Sequence, residues 1–97
     1  MRYTFKAELW AYPGPGGWRF ASLPKDLAAE IKTVTAGEHK AFGSLAVEAK
    51  VGGTRWRTSI FYERTSKTYH LPVKKDVRRR EGIFDGDALS VEIVVHS

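Results

Sequence analysis

No cysteine occurs anywhere in the chain. Disulfide staples, thiolate nucleophiles and cysteine zinc sites are therefore excluded, and the composition suits a reducing compartment, so the expected location is cytoplasmic. No apolar run approaches the roughly 20 residues that a membrane-spanning helix needs, so no integral membrane segment is expected. The first ten residues carry Lys6 and Glu8 within an apolar alternation and lack the uninterrupted apolar stretch of a signal peptide, which argues against export. Low-complexity tracts are missing too. What is present, 97 residues with 42% hydrophobic and 12% aromatic content, has the size and composition of one self-folding domain spanning 1–97.

Net charge is +5, and it is unevenly spread. Between Arg55 and Glu81 there are nine basic residues against three acidic ones, whereas the stretch from Gly82 to Ser97 has three acidic residues and no lysine or arginine. A field of that sign attracts polyanions, acidic partners or a small anion, and carries no information about fold.

Residues Arg2 to Tyr12 place Tyr3, Phe5, Ala7, Leu9 and Ala11 on one face and Thr4, Lys6, Glu8 and Trp10 on the other, the signature of a half-buried strand. The run Pro13-Gly14-Pro15-Gly16-Gly17 breaks regular structure, and Trp18 to Ser22 resumes an extended pattern, which together predict a hairpin. From Pro24, Leu27, Ile31 and Val34 recur at helical spacing, with Asp26 in the first turn. A second hairpin is predicted from Phe42 to Val51, across Gly52-Gly53, into Thr54 to Tyr62. In its returning strand Phe61 is the odd residue, an aromatic on the face that holds Arg55, Arg57 and Glu63. Tyr69 to Val73 reads as a further strand, Lys74 to Glu81 as a short helix stopping at Gly82, Asp85-Gly86-Asp87 as a turn, and Ala88 to Val95 as a β-branched closing strand. The expected fold is mainly β with two short helices, a six-stranded closed or double-split β-barrel.

The segment beginning at Leu23-Pro24 echoes the one beginning at Leu71-Pro72, each leading through a basic-acidic pair into a helical stretch and then a strand. Either chance or a duplicated strand-helix-strand unit accounts for this, and two such halves can close one barrel without leaving a sheet edge.

Candidate chemistry is sparse. Lys74, Lys75, Arg78, Arg79 and Arg80 could neutralise phosphates, but Asp76 with Arg80 and Arg78 with Glu81 have the spacing of intrahelical ion pairs. Arg55 and Arg57 leave one face of a strand two residues apart and could grip an anion or merely guard an exposed surface. Of the aromatics Trp10, Tyr12, Trp18, Trp56, Tyr62 and Tyr69, the set Trp56, Tyr62 and Tyr69 forms the candidate ligand-pocket wall, with a barrel core as the alternative. His39, His70 and His96 have no metal-ligand spacing and are expected at surfaces or turns, so no metal is expected. The Pro13–Gly17 loop lacks the lysine-serine ending of a phosphate-binding loop, Asp85 and Asp87 lack the further oxygens of a calcium loop, and no nucleophile elbow is present. No catalytic residue and no cofactor is indicated.

The order of these signals resembles a bacterial and archaeal domain-of-unknown-function family, number nineteen-oh-five in its series. The residues that carry the resemblance are Phe5 and Ala7 in the first strand, Leu23-Pro24, the run TRWRTSIF from Thr54, LPVKK from Leu71, and GIFDGDALSVEI from Gly82. It implies a double-split barrel capped by helices, similar in shape to AbrB-type transcription factors, sometimes linked to YdeI-like bacteriocin-protection domains, and, having no established active site, it carries over no catalytic residue. Thr65-Ser66-Lys67-Thr68 stands where the family often has a glycine-bearing turn, so a differently shaped turn is expected. The leading functional expectation is a non-enzymatic binding or adaptor module that meets an anionic partner through Arg55, Arg57, Lys74, Lys75, Arg78 and Arg79. The alternatives are a small-molecule barrel with enzymatic potential and AbrB-like nucleic-acid binding.

Overall fold

Six runs of alternating residues become six strands. In the computed structural model, which describes residues 1–37 and 43–96, these are β1 (Arg2–Ala11), β2 (Arg19–Ser22), β3 (Ser44–Val51), β4 (Thr54–Glu63), β5 (Thr68–Pro72) and β6 (Ala88–Val95), with helices α1 (Lys25–Val34) and α2 (Lys75–Glu81). The strands close into a barrel in the order β1-β2-β5-β4-β3-β6, and every neighbouring pair is antiparallel. Closure leaves no unpaired edge to template association with another chain. The predicted start of the third strand at Phe42, like His39, lies outside the described residues.

The ring has a two-fold topology. Exchanging β1-β2-α1-β3 with β4-β5-α2-β6 returns the same strand order, with β2 paired to β5 and β3 paired to β6 across the two halves. The two Leu-Pro segments lie at corresponding strand-to-helix junctions but two residues out of step: Leu23-Pro24 follows β2 and Pro24 caps α1, whereas Leu71-Pro72 end β5 and Lys74 caps α2, so that Leu23 corresponds to Val73, and both are buried.

One apolar cluster fills the barrel. It includes Phe5, Leu9, Val47, Trp56, Ile60, Tyr69, Leu71, Val91 and Ile93, and fully burying side chains of this size contributes roughly 1.5–3 kcal/mol each. The helices add few anchors. α2 buries Val77 alone and ends at Gly82, whose left-handed backbone (φ 62°, ψ 41°) is the predicted stop. In α1 the buried face is Ala28 and Ile31, whereas Val34 is exposed, so the expected stripe is one residue out of phase at its end. Thr35, just past the helix, is buried in its place because its hydroxyl satisfies itself on the Ile31 carbonyl at 2.6 Å.

Two turns use left-handed backbone. Gly52, at φ 58° in the two-residue β3–β4 turn, has the Glu81 carboxylate where a Cβ would stand, and Thr54 Oγ1 donates to Glu81 Oε2 at 2.6 Å. The end of α2 is thereby tied to the hairpin. Lys67 takes φ 56°, the left-handed region that favours glycine, in the turn where the family often has one. The turn thus places a lysine where the backbone takes a conformation that glycine adopts without strain. Among the described residues, no helix is long and apolar enough to cross a membrane.

Candidate functional site

Two depressions adjoin on the outer wall of the barrel, and Trp18 and Pro72 line both. The first is an open groove of about 530 Å³ between the Gly16-Gly17-Trp18 loop and the β5–α2 junction, where Lys74, Lys75 and Arg78 meet Arg19, Pro72 and Val73. Its shape follows from the loop. Gly16 sits at φ 101°, with the Trp18 indole so near that a Cβ there would come within 2.9 Å of it, so only glycine lets the ring fold back against the backbone. The hairpin closes through Tyr12 N–H donating to the Trp18 carbonyl at 2.9 Å.

The groove's charge is not cancelled locally. Arg19 spends its guanidinium on Asp85 at 2.7 Å, and Arg78 Nε donates to the Val73 carbonyl at 3.0 Å, which fixes its stem while, among the described residues, no carboxylate pairs with its charge. Lys74 and Lys75 are exposed. Among the described residues, neither lysine forms an ion pair, and the spacings Asp76–Arg80 and Arg78–Glu81 do not become ion pairs, because Glu81 turns instead to Thr54.

The other basic candidates divide. Arg55 lies 3.5 Å from Glu48 and 3.7 Å from Glu92, so its charge is shared across the sheet, and it borders a small hollow with Lys74, Asp76 and Arg80. Arg57 stands opposite Glu48 in the β3–β4 register and is exposed, as are Arg79 and Arg80. The structure thus gathers Lys74, Lys75 and Arg78 in one groove and leaves Arg55, Arg57 and Arg79 out of its lining, with Arg55 sharing only the small hollow beside Lys74.

The second depression, about 340 Å³, is walled by Trp10, Tyr12, Trp18, Phe20, Phe61, Tyr62, His70 and Pro72, with Glu63 at its rim. Four strands build it through register. Phe20 opposes Trp10 on one side and Pro72 on the other, while His70 opposes Ser22 and Phe61. The rings of Trp18 and Phe20 are nearly parallel, 8° apart with centroids 6.1 Å distant. Of the three ligand-pocket candidates only Tyr62 reaches this cleft, half-buried beneath Lys32, whose Nζ sits 3.7 Å from the ring centroid. Trp56 and Tyr69 belong to the core, and burial raises the Tyr69 phenol above the ordinary tyrosine value.

Three of the cleft's own residues, Trp10, His70 and Glu63, join in a polar relay through Ser22. Trp10 Nε1 donates to Ser22 Oγ at 2.8 Å, Ser22 Oγ lies 2.7 Å from His70 Nδ1, and His70 Nε2 lies 2.8 Å from Glu63 Oε1, which also accepts from Ser66 at 2.6 Å. With the imidazole proton on Nε2, every donor in the chain meets an acceptor, which holds the His70 ring in one orientation. The expectation of a simple surface position thus describes His96, which is exposed, better than His70. The hydrogen bond to His70, then that from Ser66, keeps the Glu63 carboxyl below the usual glutamate value. A depressed carboxyl contributes stability above its unfolded value that is lost as pH falls through the folded one. Titrating the carboxyl by carbon-detected NMR is expected to give a midpoint below that of an unstructured glutamate, rising towards it in His70→Ala; equal midpoints in the two proteins would disprove the coupling.

Phe20, Ser22, Phe61, Glu63 and His70 were not indicated as a group by the sequence; the one signal was Phe61, an aromatic on a charged face. Asp85 and Asp87 serve the turn, Asp85 pairing with Arg19 and Asp87 Oδ2 accepting the Phe84 N–H at 2.8 Å. Among the described residues no group of histidine and carboxylate side chains is placed to hold a metal ion.

The family model described as Domain of unknown function (DUF1905) matches residues 5–93, nearly the whole chain. No curated protein matches it.

Proposed function

The chain belongs to the DUF1905 family, and on that premise we propose that the barrel is a non-enzymatic binding module for an anionic partner, held in the groove of Lys74, Lys75 and Arg78. One observation carries this reading: three cations line one side of a single open groove of about 530 Å³, and among the described residues no carboxylate pairs with any of them. Three like charges held on one rim repel each other, so an anion seated between them relieves that repulsion as well as gaining attraction. Arg55, Arg57 and Arg79 supply the surrounding field. The fold supports the groove because only Val73 and Lys74 connect β5 to α2, Pro72 ending the strand and Lys75 opening the helix. Acidic faces of proteins, including a YdeI-like protein, and phosphate-bearing ligands have the chemistry that fits.

The test uses tripolyphosphate as the probe, titrated by calorimetry at low salt. Reversing both lysines (Lys74→Glu with Lys75→Glu) is expected to weaken binding tenfold or more, whereas reversing Arg57 and Arg79, equal in charge but outside the groove, has a smaller effect through the general field alone. Equal losses in the two double variants would replace a groove by a diffuse basic surface and contradict the assignment.

A further inference from the structure

Exposed aromatic faces next to the groove narrow the kind of anion. Tyr12, Trp18 and Phe61 are 48%, 54% and 40% exposed, a large share for rings of this size. They stand with Trp10, Phe20 and His70 on one wall, not scattered over the barrel. Water contact with so much contiguous apolar surface is costly, and such a patch marks a site that something covers. What covers it has to meet two demands at once, because the wall runs through Trp18 and Pro72 directly into Lys74, Lys75 and Arg78.

We propose that the cleft and the groove together bind single-stranded nucleic acid, bases stacking on the Trp18–Phe20–Phe61 wall while the phosphates follow Lys74, Lys75 and Arg78. The proposal rests on the anion-binding reading of the groove and adds the bases to it. A single strand repeats the needed pairing at every nucleotide, a flat π surface beside a fixed negative charge. A duplex hides its base faces within its own stack and offers this wall nothing to cover it. A lone small ligand is the poorer match, since neither depression is enclosed and such sites ordinarily bury most of their ligand. Charge also sets the orientation. Glu63 lies at the edge of the cleft and the cations line the groove, so a phosphate is repelled from the first and drawn to the second. The near-parallel rings of Trp18 and Phe20, and the His70 ring locked by Ser22 and Glu63, keep the wall in shape before anything binds. Preorganised rings lose little rotamer freedom on stacking.

The experiment measures fluorescence anisotropy of a labelled dT12 strand, chosen because thymines stack weakly on each other, beside an abasic 12-mer with the same phosphates, a dT12·dA12 duplex and unlabelled tripolyphosphate. The single strand is expected to bind roughly ten- to a hundredfold more tightly than the abasic strand and more tightly than the duplex. The variant Phe61→Ala touches only the cleft. It is expected to lose about tenfold for dT12 and to keep its affinity for tripolyphosphate, with an unchanged thermal midpoint reporting that the barrel is intact. Equal affinity for dT12 and the abasic strand, or tighter binding of the duplex, overturns the stacking proposal while leaving the groove's anion binding in place. Failure of tripolyphosphate and all three nucleic acids to bind overturns both.

Discussion

Replacing Trp56 by alanine is expected to cost about 3–5 kcal/mol of stability, the range for deleting a large aromatic side chain from a packed core. Trp56 is 7% exposed inside the barrel and lies in the same cluster as Ile60, Tyr69 and Val77. Its ring fills space between the wall of β4 and the underside of α2, where it borders the hollow lined by Lys74, Asp76, Val77 and Arg80. Truncation therefore opens a cavity and loosens the seat of the helix that carries the basic groove. For a domain of this size, total stability is on the order of 5–15 kcal/mol, so the loss brings the folded state close to its limit. Urea unfolding checks it, and Trp56→Phe, which keeps most of the volume, is expected to lose less than half as much. A ring serving mainly as the wall of an open ligand pocket would behave otherwise: a loss below about 1 kcal/mol for the alanine variant would take Trp56 out of the core.

Alanine at Gly52 is the second large effect, about 2–4 kcal/mol. At φ 58° a Cβ is strained by about 1–2 kcal/mol, and here it also displaces the Glu81 carboxylate. Displacement breaks the Thr54–Glu81 hydrogen bond, and Thr54 is 8% exposed, so its hydroxyl is left in a nearly dry site. The comparison with Glu81→Ala separates the two causes. That variant loses only the hydrogen bond and is expected to cost about 1 kcal/mol, and adding it to Gly52→Ala removes the clash while the backbone strain remains. Thermal unfolding of the three variants measures the set, and Gly52→Ala indistinguishable from the parent would show that the turn relaxes freely.

Element by element, much of the barrel was legible. Strand alternation in β1, β3 and β6 is a period-two signal that survives without tertiary information, and the glycines at 52 and 82 mark sites where left-handed backbone is needed. The helices were less so. In α1, Leu27, Ile31 and Val34 fit helical spacing as well as Ala28, Ile31 and Thr35 do, and only the orientation against β5 chooses between them. That Asp76 and Glu81 would forgo their neighbouring arginines was equally hidden, since Glu81 is captured by Thr54, 27 positions earlier.

The site shows why outward-facing residues are hardest to read. Trp10, Phe20, Phe61 and His70 each look like a single exposed residue on its own strand, and scattered apolar surface residues are ordinary. They become a wall only once β1, β2, β5 and β4 are placed side by side in register, which depends on non-local pairing. Ring type alone groups Trp56 and Tyr69 with Tyr62 in one candidate pocket, and only the closed barrel separates the two core rings from the one that reaches the cleft. For the basic residues, composition revealed the excess but not that Lys74, Lys75 and Arg78 share a groove with the glycine loop some 60 residues earlier in the chain.

The most direct test of the account is a residue-resolved NMR titration of the ¹⁵N-labelled chain with tripolyphosphate. Saturable shifts are predicted at the amides of Gly16, Gly17, Trp18, Lys74, Lys75 and Arg78, with smaller changes at Arg55, Arg57 and Arg79. Shifts spread evenly over every lysine and arginine, or confined to residues away from the groove, would contradict an anion site built where the glycine loop meets α2.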